Sequence, residues 1–321
     1  MSIVKASDVS IREAVRVLDA GGLVALPTET VYGLAGDAAN GEAVARIFAA
    51  KGRPRFNPLI CHVADIAMAR RYGELDERAA LLAEKFWPGP LTIVVPLKSG
   101  APVHALATSG LASVALRAPA GIAAKVIAGL GRAVAAPSAN RSGRLSPTTA
   151  EHVATQFGAD APLILDMILD GGPCRVGVES TIVSFLGERS LLLRPGGLDA
   201  AALEAALGTT LERVGEGEVV VAPGMLKSHY APTLPLRLGA TEARAGEAFL
   251  GFGGLPAGAR QAVAALDLSP SGDLMEAAAN LFAYLDRLDR SGAEGIAVAP
   301  VPREGLGEAI NDRLERGAAG R

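Results

Sequence analysis

Apolar positions in this chain fall into short continuous runs that alternate with stretches of helical spacing. "LVALP" (23–27), "PLICHV" (58–63), "LTIVVPL" (91–97) and "SVALRAP" (113–119) read as buried strands, each closed by proline or a charged residue. "AVAAPSAN" (133–140) reads as a strand running into a loop, and "LILDMILD", "TIVSF" and "SLLLRP" as later strands. Between them, helical spacing appears in "IREAVRVLDAGG" behind a Ser10-x-x-Glu13 capping box, and in "GEAVARIFAAKGRP" behind Asn40. "DERAALLAEKFWPGP", "GIAAKVIAGL" and "SPTTAEHVATQFG" continue the series, the last with Ser146 as expected N-cap and Pro147 at the first helical position. The alternation predicts an α/β fold with a mixed sheet and some antiparallel pairing at its end.

The pattern changes after about residue 200. A helix in "LDAAALEAALG" leads into a Pro/Gly-punctuated connector, "VGEGEVVVAPGMLKSHYAPTLPLRL", that still holds Val219–Val221, Met225 and Tyr230. A smaller α/β unit follows: strands in "LPLRL", "AFLGFGG" and "QAVAALDL", an amphipathic helix after Asp273-x-x-Glu276, then "GIAVAPVP" and the helix "GLGEAINDRLERGA". The expected division is a catalytic domain over 1–205, a connector over 206–235 and a small domain over 236–321. No internal repeat is visible.

Composition narrows the class. Half of the 321 residues are hydrophobic and mean hydropathy is +0.30, enough for a sizeable core, while only 4% are aromatic. The net charge of −3 is unevenly spread: residues 1–200 hold 20 Lys and Arg against 18 Asp and Glu, the remainder 11 against 16. A mildly basic first part suits a small anionic substrate and is too weak to imply nucleic acid. Two distant cysteines, Cys61 and Cys174, exclude a disulfide framework. No apolar signal segment opens the chain and no apolar run approaches the roughly 20 residues of a membrane span. The expectation is a cytoplasmic protein without membrane contact.

Polar residues gather where strands end: "PTETVYGLAGDA", "KGRPRFNPLICHV", "SVALRAP", "PSANRSGRLSP", "VGVESTIV" and "LLLRPGG". Open α/β sheets collect ligands beyond strand ends. The set is rich in Arg, Lys, Ser, Thr and Asn and poor in carboxylates, and it excludes several chemistries. There is no Walker phosphate loop, no G-x-S-x-G elbow and no metal-ligand spacing among the four histidines. In "GFGGLPAG", Pro256 stands where a dinucleotide fingerprint needs its third glycine. Each stretch alone has an ordinary explanation. Lys51, Arg53 and Arg55 form either a solvated cationic helix end or a phosphate clamp stiffened by Pro54 and Pro58. His62 is either a core histidine or a ligand. Arg117, Ser138, Asn140 and Ser146 divide in the same way between capping or turn chemistry and ligand binding, while Glu179, Ser180 and Arg194 are bland taken singly.

In this order, the six stretches and the tail "APGMLKSHYAPTLPL … GLGEAINDRL" resemble the YrdC/YciO family in its long, two-domain form, over essentially the whole chain. The paired signature K-x-R … S-x-N stands as Lys51-Gly52-Arg53 and Ser138-Ala139-Asn140. The resemblance implies a twisted mixed open sheet with a concave cleft, plus a small Rossmann-like C-terminal domain. It implies threonylcarbamoyl-AMP synthesis, a nucleotidyl transfer from L-threonine, bicarbonate or CO2, and ATP with Mg2+. The product would pass to a separate tRNA threonylcarbamoyl transferase. It places Thr30, His62, Arg117 and Ser180 around threonine, and Arg53, Asn57, Ser113, Ser138, Ser146, Arg194 and Tyr230 around ATP. Lys51, Arg53, Ser138 and Asn140 would carry the chemistry, the connector would form a lid, and no protein ligand to the metal is implied. Where the family often has Thr, this chain has Ala136. Two other readings stay open: another carbamoyl or adenylyl transferase on the same scaffold, and a double-stranded RNA-binding module. A weak tRNA contact is compatible with the threonylcarbamoyl-AMP synthesis that the resemblance implies.

Overall fold

Short polar side chains set the helix starts. The computed structural model describes residues 3–160, 164–213 and 229–319, so stretch 214–228 of the expected connector, with Val219–Val221 and Met225, lies outside the described residues. Helix α1 (Asp8–Asp19) begins earlier than Ser10-x-x-Glu13 suggests. Ser7 is the cap, and Ser10 closes a reciprocal box with it by accepting the Ser7 N–H at 2.8 Å. Helices α2 (Gly41–Lys51), α3 (Ile66–Ala69), α4 (Glu77–Phe86) and α5 (Ile122–Leu130) follow. Asn40 caps α2 as expected. Helix α6 (Ala150–Phe157) is capped by Thr149 rather than Ser146, because Ser146 gives its hydroxyl to Glu179 instead. Helices α7 (Ala200–Leu207), α8 (Leu274–Asp289) and α9 (Leu306–Ala318) complete the described set. Asp273 caps α8, but Glu276 turns back to Ser269 and does not close the expected box.

Eleven strands form one open mixed sheet. In chain order they are β1 (Ile3–Lys5), β2 (Val24–Leu26), β3 (Gly33–Asp37), β4 (Ile60–His62), β5 (Leu91–Pro96), β6 (Ser113–Arg117), β7 (Val134–Ala135), β8 (Met167–Asp170), β9 (Thr181–Ser184), β10 (Leu191–Arg194) and β11 (Glu212–Arg213). Their spatial order is β1-β8-β2-β3-β7-β4-β6-β5-β9-β10-β11. Strand β1, three residues at the edge and parallel to β8, is too short to show a period in sequence. Strand β3 is a larger departure. "GLAGD" reads as a polar loop, yet it pairs antiparallel with β2, and all five of its residues are buried. Gly36 serves packing: a Cβ there would stand 2.9 Å from the Leu23 side chain and 3.2 Å from that of Ile47.

Four further strands, β12 (Leu236–Leu238), β13 (Glu247–Gly251), β14 (Ala265–Asp267) and β15 (Gly295–Val298), form an all-parallel sheet in the order β12-β15-β13-β14. It is parallel like the expected Rossmann-like unit, but β15 lies between β12 and β13, where the dinucleotide-binding order sets the first two strands side by side. Among the described residues, no helix is long and apolar enough to cross a membrane.

Besides clusters of their own, the two sheets share one. Val31, Leu145 and Val178 from the first part join Tyr230, Phe282, Leu285 and Leu314 in one apolar cluster. At its edge Gly177, with φ at +75°, lies against the backbone of α8, where a methyl group would overlap Ala278 O and Ala279 Cα. Gly177→Ala therefore incurs both the left-handed penalty and a backbone collision, a loss of about 2 kcal/mol or more. Denaturant unfolding measures it, with faster proteolytic separation of the two parts expected alongside; a change under about 0.5 kcal/mol would contradict this account of the interface.

Candidate active site

The site grows from the end of α2. Gly52 caps that helix in the left-handed conformation (φ +59°), so the chain doubles back and the Arg53 N–H returns to Phe48 O at 3.0 Å. Lys51, on the last turn, is only 3% exposed and points inward. Its ammonium donates to Ser138 O at 2.5 Å, to Asn140 O at 2.6 Å and to Asn140 Oδ1 at 3.4 Å. The two halves of the K-x-R … S-x-N signature are thus joined by one buried cation. Burial pushes the Lys51 pKa well below its ordinary value, with Arg53 adding to the fall and Glu179 opposing it. Asn140 is fully buried, and its amide donates to Arg141 O and Arg144 O. Lys51 and Asn140 therefore shape the loop from behind, while Ser138 lines the cavity.

Arg53 turns into that cavity. Its Nε donates to Asn57 O at 3.0 Å, and Nη2 donates to Asn57 Oδ1 at 2.6 Å and to Pro58 O at 2.9 Å. Burial lowers its pKa to about 10, Tyr230 opposing and Arg194 reinforcing the shift, so it stays charged at neutral pH. Asn57 is the seat of this arginine, and its own Nδ2 is buried without a partner among the described residues. Arg194, at the end of β10, donates from Nε and Nη2 to Ser180 O at 3.2 and 2.8 Å, and from Nη1 to Tyr230 Oη at 3.5 Å. The Ser180 hydroxyl bonds to Thr92 at 2.7 Å.

The third arginine closes the far end. Arg117, at the end of β6, pairs with Glu29 at 2.6 Å, both side chains under a tenth exposed, and donates to Gly89 O. Glu29 also accepts the Ala120 N–H. Glu29 thus braces its loop and seats Arg117. Tyr32 braces the same loop from below: its hydroxyl donates to Gly172 O at 2.8 Å and accepts from Gly171 N. Thr28 faces the cavity and Thr30 stands behind it, the two hydroxyls 2.9 Å apart.

The cavity is narrow, about 50 Å³, and Arg53, His62, Arg117, Ser138, Ser180, Arg194 and Tyr230 meet there. Thr30, Lys51, Asn57, Asn140 and Ser146 support it from outside the wall. Ser113 lies at the opposite end of β6 from Arg117, two residues before the partner of Ile60. Among the wall residues that the sequence reading does not assign to a ligand are Thr28, Val31, Glu179 and His229. Glu179 is held by Ser146 and by Arg313, 134 positions away, and no local pattern signals such a pairing. Ala136 lines the wall beside Gly33, where the space beyond a glycine Cβ is filled by the Ala136 methyl at 3.3 Å.

His62 and His229 are both buried, with Nδ1 unpartnered among the described residues. Burial pushes both from 6.5 to about 3, with Arg117 adding to the fall at His62. Below the unfolded value the unfolded chain takes protons that the folded chain refuses. The stability these neutral rings permit is therefore complete above about pH 6.5 and lost progressively toward pH 3. The difference in unfolding free energy between wild type and His62→Gln should shrink as pH falls through this window. An imidazole titrating near its ordinary value in the folded protein, followed by NMR, would refute the assignment.

Comparison with known proteins agrees with this geometry. Residues 16–196 match the Sua5/YciO/YrdC family model, described as telomere recombination, and residues 198–319 match the model of the threonylcarbamoyl-AMP synthase C-terminal domain. The threonylcarbamoyl-AMP synthases of Bacillus subtilis and Pyrococcus abyssi are 38% and 40% identical, covering 98% and 95% of this chain and 94% and 93% of their own length. The crystal structure of P. abyssi Sua5 complexed with L-threonine superposes with a TM-score of 0.90 at 36% identity, covering 100% of this chain and 98% of that one. E. coli YciO shares only the fold of the first part, with a TM-score of 0.52 at 19% identity over 60% of this chain and 94% of that one. The chain belongs to the threonylcarbamoyl-AMP synthase family, in its two-domain form.

Proposed function

We propose that the protein is an L-threonylcarbamoyladenylate synthase, a nucleotidyltransferase that joins L-threonine, bicarbonate or CO2, and ATP into threonylcarbamoyl-AMP and pyrophosphate. The observation that carries the reading is three buried arginines, Arg53, Arg117 and Arg194, facing one cavity beside a neutral His62. Such a wall suits a small polyanion next to an amino acid. A duplex backbone needs an exposed cationic face instead.

The chemistry asks little acid–base work of the protein. The threonine amine adds to CO2 and loses a proton, leaving a carbamate whose oxygen is already anionic. That oxygen attacks the α-phosphorus, a new P–O bond forms, and the bond to the β-phosphate oxygen breaks as pyrophosphate departs. Alignment and neutralisation of phosphate charge are the main requirements. Arg53 and Arg194, both lining the cavity, supply fixed positive charge. Arg117 presents a guanidinium suited to the threonine carboxylate, with Glu29 holding it in place. His62 can exchange hydrogen bonds with the threonine hydroxyl or amine without competing for charge. Lys51 and Asn140 act by holding Ser138 at the wall.

Magnesium belongs with the substrate triphosphate. The nearest buried carboxylates, Glu29 and Glu179, are each committed to an arginine. Phosphate oxygens and water would then supply its ligands. The product would go to a separate transferase that modifies tRNA in the cytoplasm.

Wild-type protein given ATP, threonine and bicarbonate should release pyrophosphate and yield a threonylcarbamoyl-AMP ion by mass spectrometry, both vanishing without threonine. Arg53→Ala should keep its circular dichroism spectrum and lose about a hundredfold or more in that turnover. Wild-type turnover in the variant would remove Arg53 from its role.

A further inference from the structure

A carboxylate in the wall of a phosphate site needs an explanation. Glu179 lines the cavity with Arg53 and Arg194, where a free negative charge would repel a nucleotide. Its charge is met from outside the catalytic sheet. Arg313, on α9 of the C-terminal unit, has no exposed side-chain surface and donates from Nε to Glu179 Oε2 at 2.7 Å. Burial alone would raise the Glu179 pKa, but Arg313, Arg194 and the Ser146 hydroxyl outweigh it and keep the group ionised.

The same guanidinium has a second task. Its carbon lies 4.9 Å from the centroid of the Tyr230 ring, within cation–π range. Tyr230 is a cavity residue held at φ +63°, a conformation that a tyrosine adopts only when its surroundings enforce it. On its other sides the ring meets His229 at 4.1 Å and Phe282 at 5.8 Å. Arg313 is itself oriented by Asp312, which also takes Arg316 at 2.8 Å, while the Arg316 carbonyl accepts the His229 N–H at 3.4 Å. Arg313 Nη2 is buried without a partner among the described residues. The fork is therefore aimed by Glu179, Asp312 and the ring at the expense of one donor.

We propose that Arg313 is a positioning residue for the nucleotide: aimed by Asp312 and the Tyr230 ring, it cancels the Glu179 charge in the cavity wall, which makes the C-terminal helix part of the active site. The "NDR" triplet of "GLGEAINDRL" thereby has a physical role. Glu179 keeps Ser146 in place without opposing phosphate, because its charge is spent on α9. The proposal rests on ATP being the substrate of this cavity.

The test separates charge from architecture. Arg313→Met should raise the KM for ATP at least tenfold, about 1.4 kcal/mol, and leave the KM for threonine within threefold, since the Arg117–Glu29 pair is untouched. Adding Glu179→Gln to Arg313→Met removes the stranded charge and should bring the ATP KM back to within threefold of wild type. Arg313→Lys, which keeps the charge, should also stay within threefold. An unmoved ATP KM in Arg313→Met overturns the proposal. So does a matched rise in both KM values that Glu179→Gln fails to repair, the mark of a purely structural role. Should Arg313→Met fail to fold, the double variant and Arg313→Lys decide: ATP KM within threefold in both supports the proposal, tenfold or more in either defeats it. Calorimetric titration with ATP alone reads the same difference without turnover. A wild-type protein lacking threonine-dependent pyrophosphate release would defeat the proposed function instead, whatever the Arg313 variants show.

Discussion

The site depends on one buried ammonium. Lys51 is held in the interior by three oxygen acceptors on the Ser138–Asn140 loop, and those contacts fasten the end of α2 to the end of β7. A lysine so deeply buried is tolerated only because its donors are met. With the loop tied down, Ser138 and Pro137 form one wall. The left-handed Gly52 then reverses the chain and delivers Arg53 to the same space. Without this tie the other cations would have no common focus.

The second constraint comes from the opposite end of the chain. An apolar cluster shared by Val31, Val178, Tyr230 and the C-terminal helices joins the two sheets, and Arg313 threads the joint to reach Glu179. A pair buried this deeply gains little net stability, because desolvation consumes most of its Coulomb energy. Its value lies in geometry: it lets a carboxylate hold Ser146 inside a site meant for anions. The charge distribution of the cavity is thus completed by residues more than a hundred positions from the catalytic motifs.

Much of the site was legible because its residues stand at strand ends. Arg53, His62, Arg117, Ser138, Ser180 and Arg194 were identifiable there, and each lines the cavity. Division of labour was not legible. Lys51 and Asn140 look like site residues in sequence and work from behind the wall, since a signature records which side chains are required and not which way they point. Glu29 and Tyr32 look equally available, yet one is paired with Arg117 and the other bonded to the Gly171–Gly172 backbone. Ser146 reads as a helix cap by every local rule, but a buried carboxylate offers its hydroxyl a stronger partner than an exposed N–H group.

For "VALPTETVYGLAGDA", local pattern determined that a buried strand ends at Pro27 in a polar turn. It also determined the class of the fold, most helix positions and the cationic character of the cleft, because periodicity and strand-end polarity are properties of neighbouring residues. Only the tertiary structure decided that "GLAGD" returns as a strand, that Thr28 rather than Thr30 faces the cavity, and that Glu179 is neutralised by Arg313. Those outcomes depend on register, on which side of a strand meets the core, and on partners brought together from distant parts of the chain. Burial strengthens such long-range pairings, and no window of local sequence contains both members.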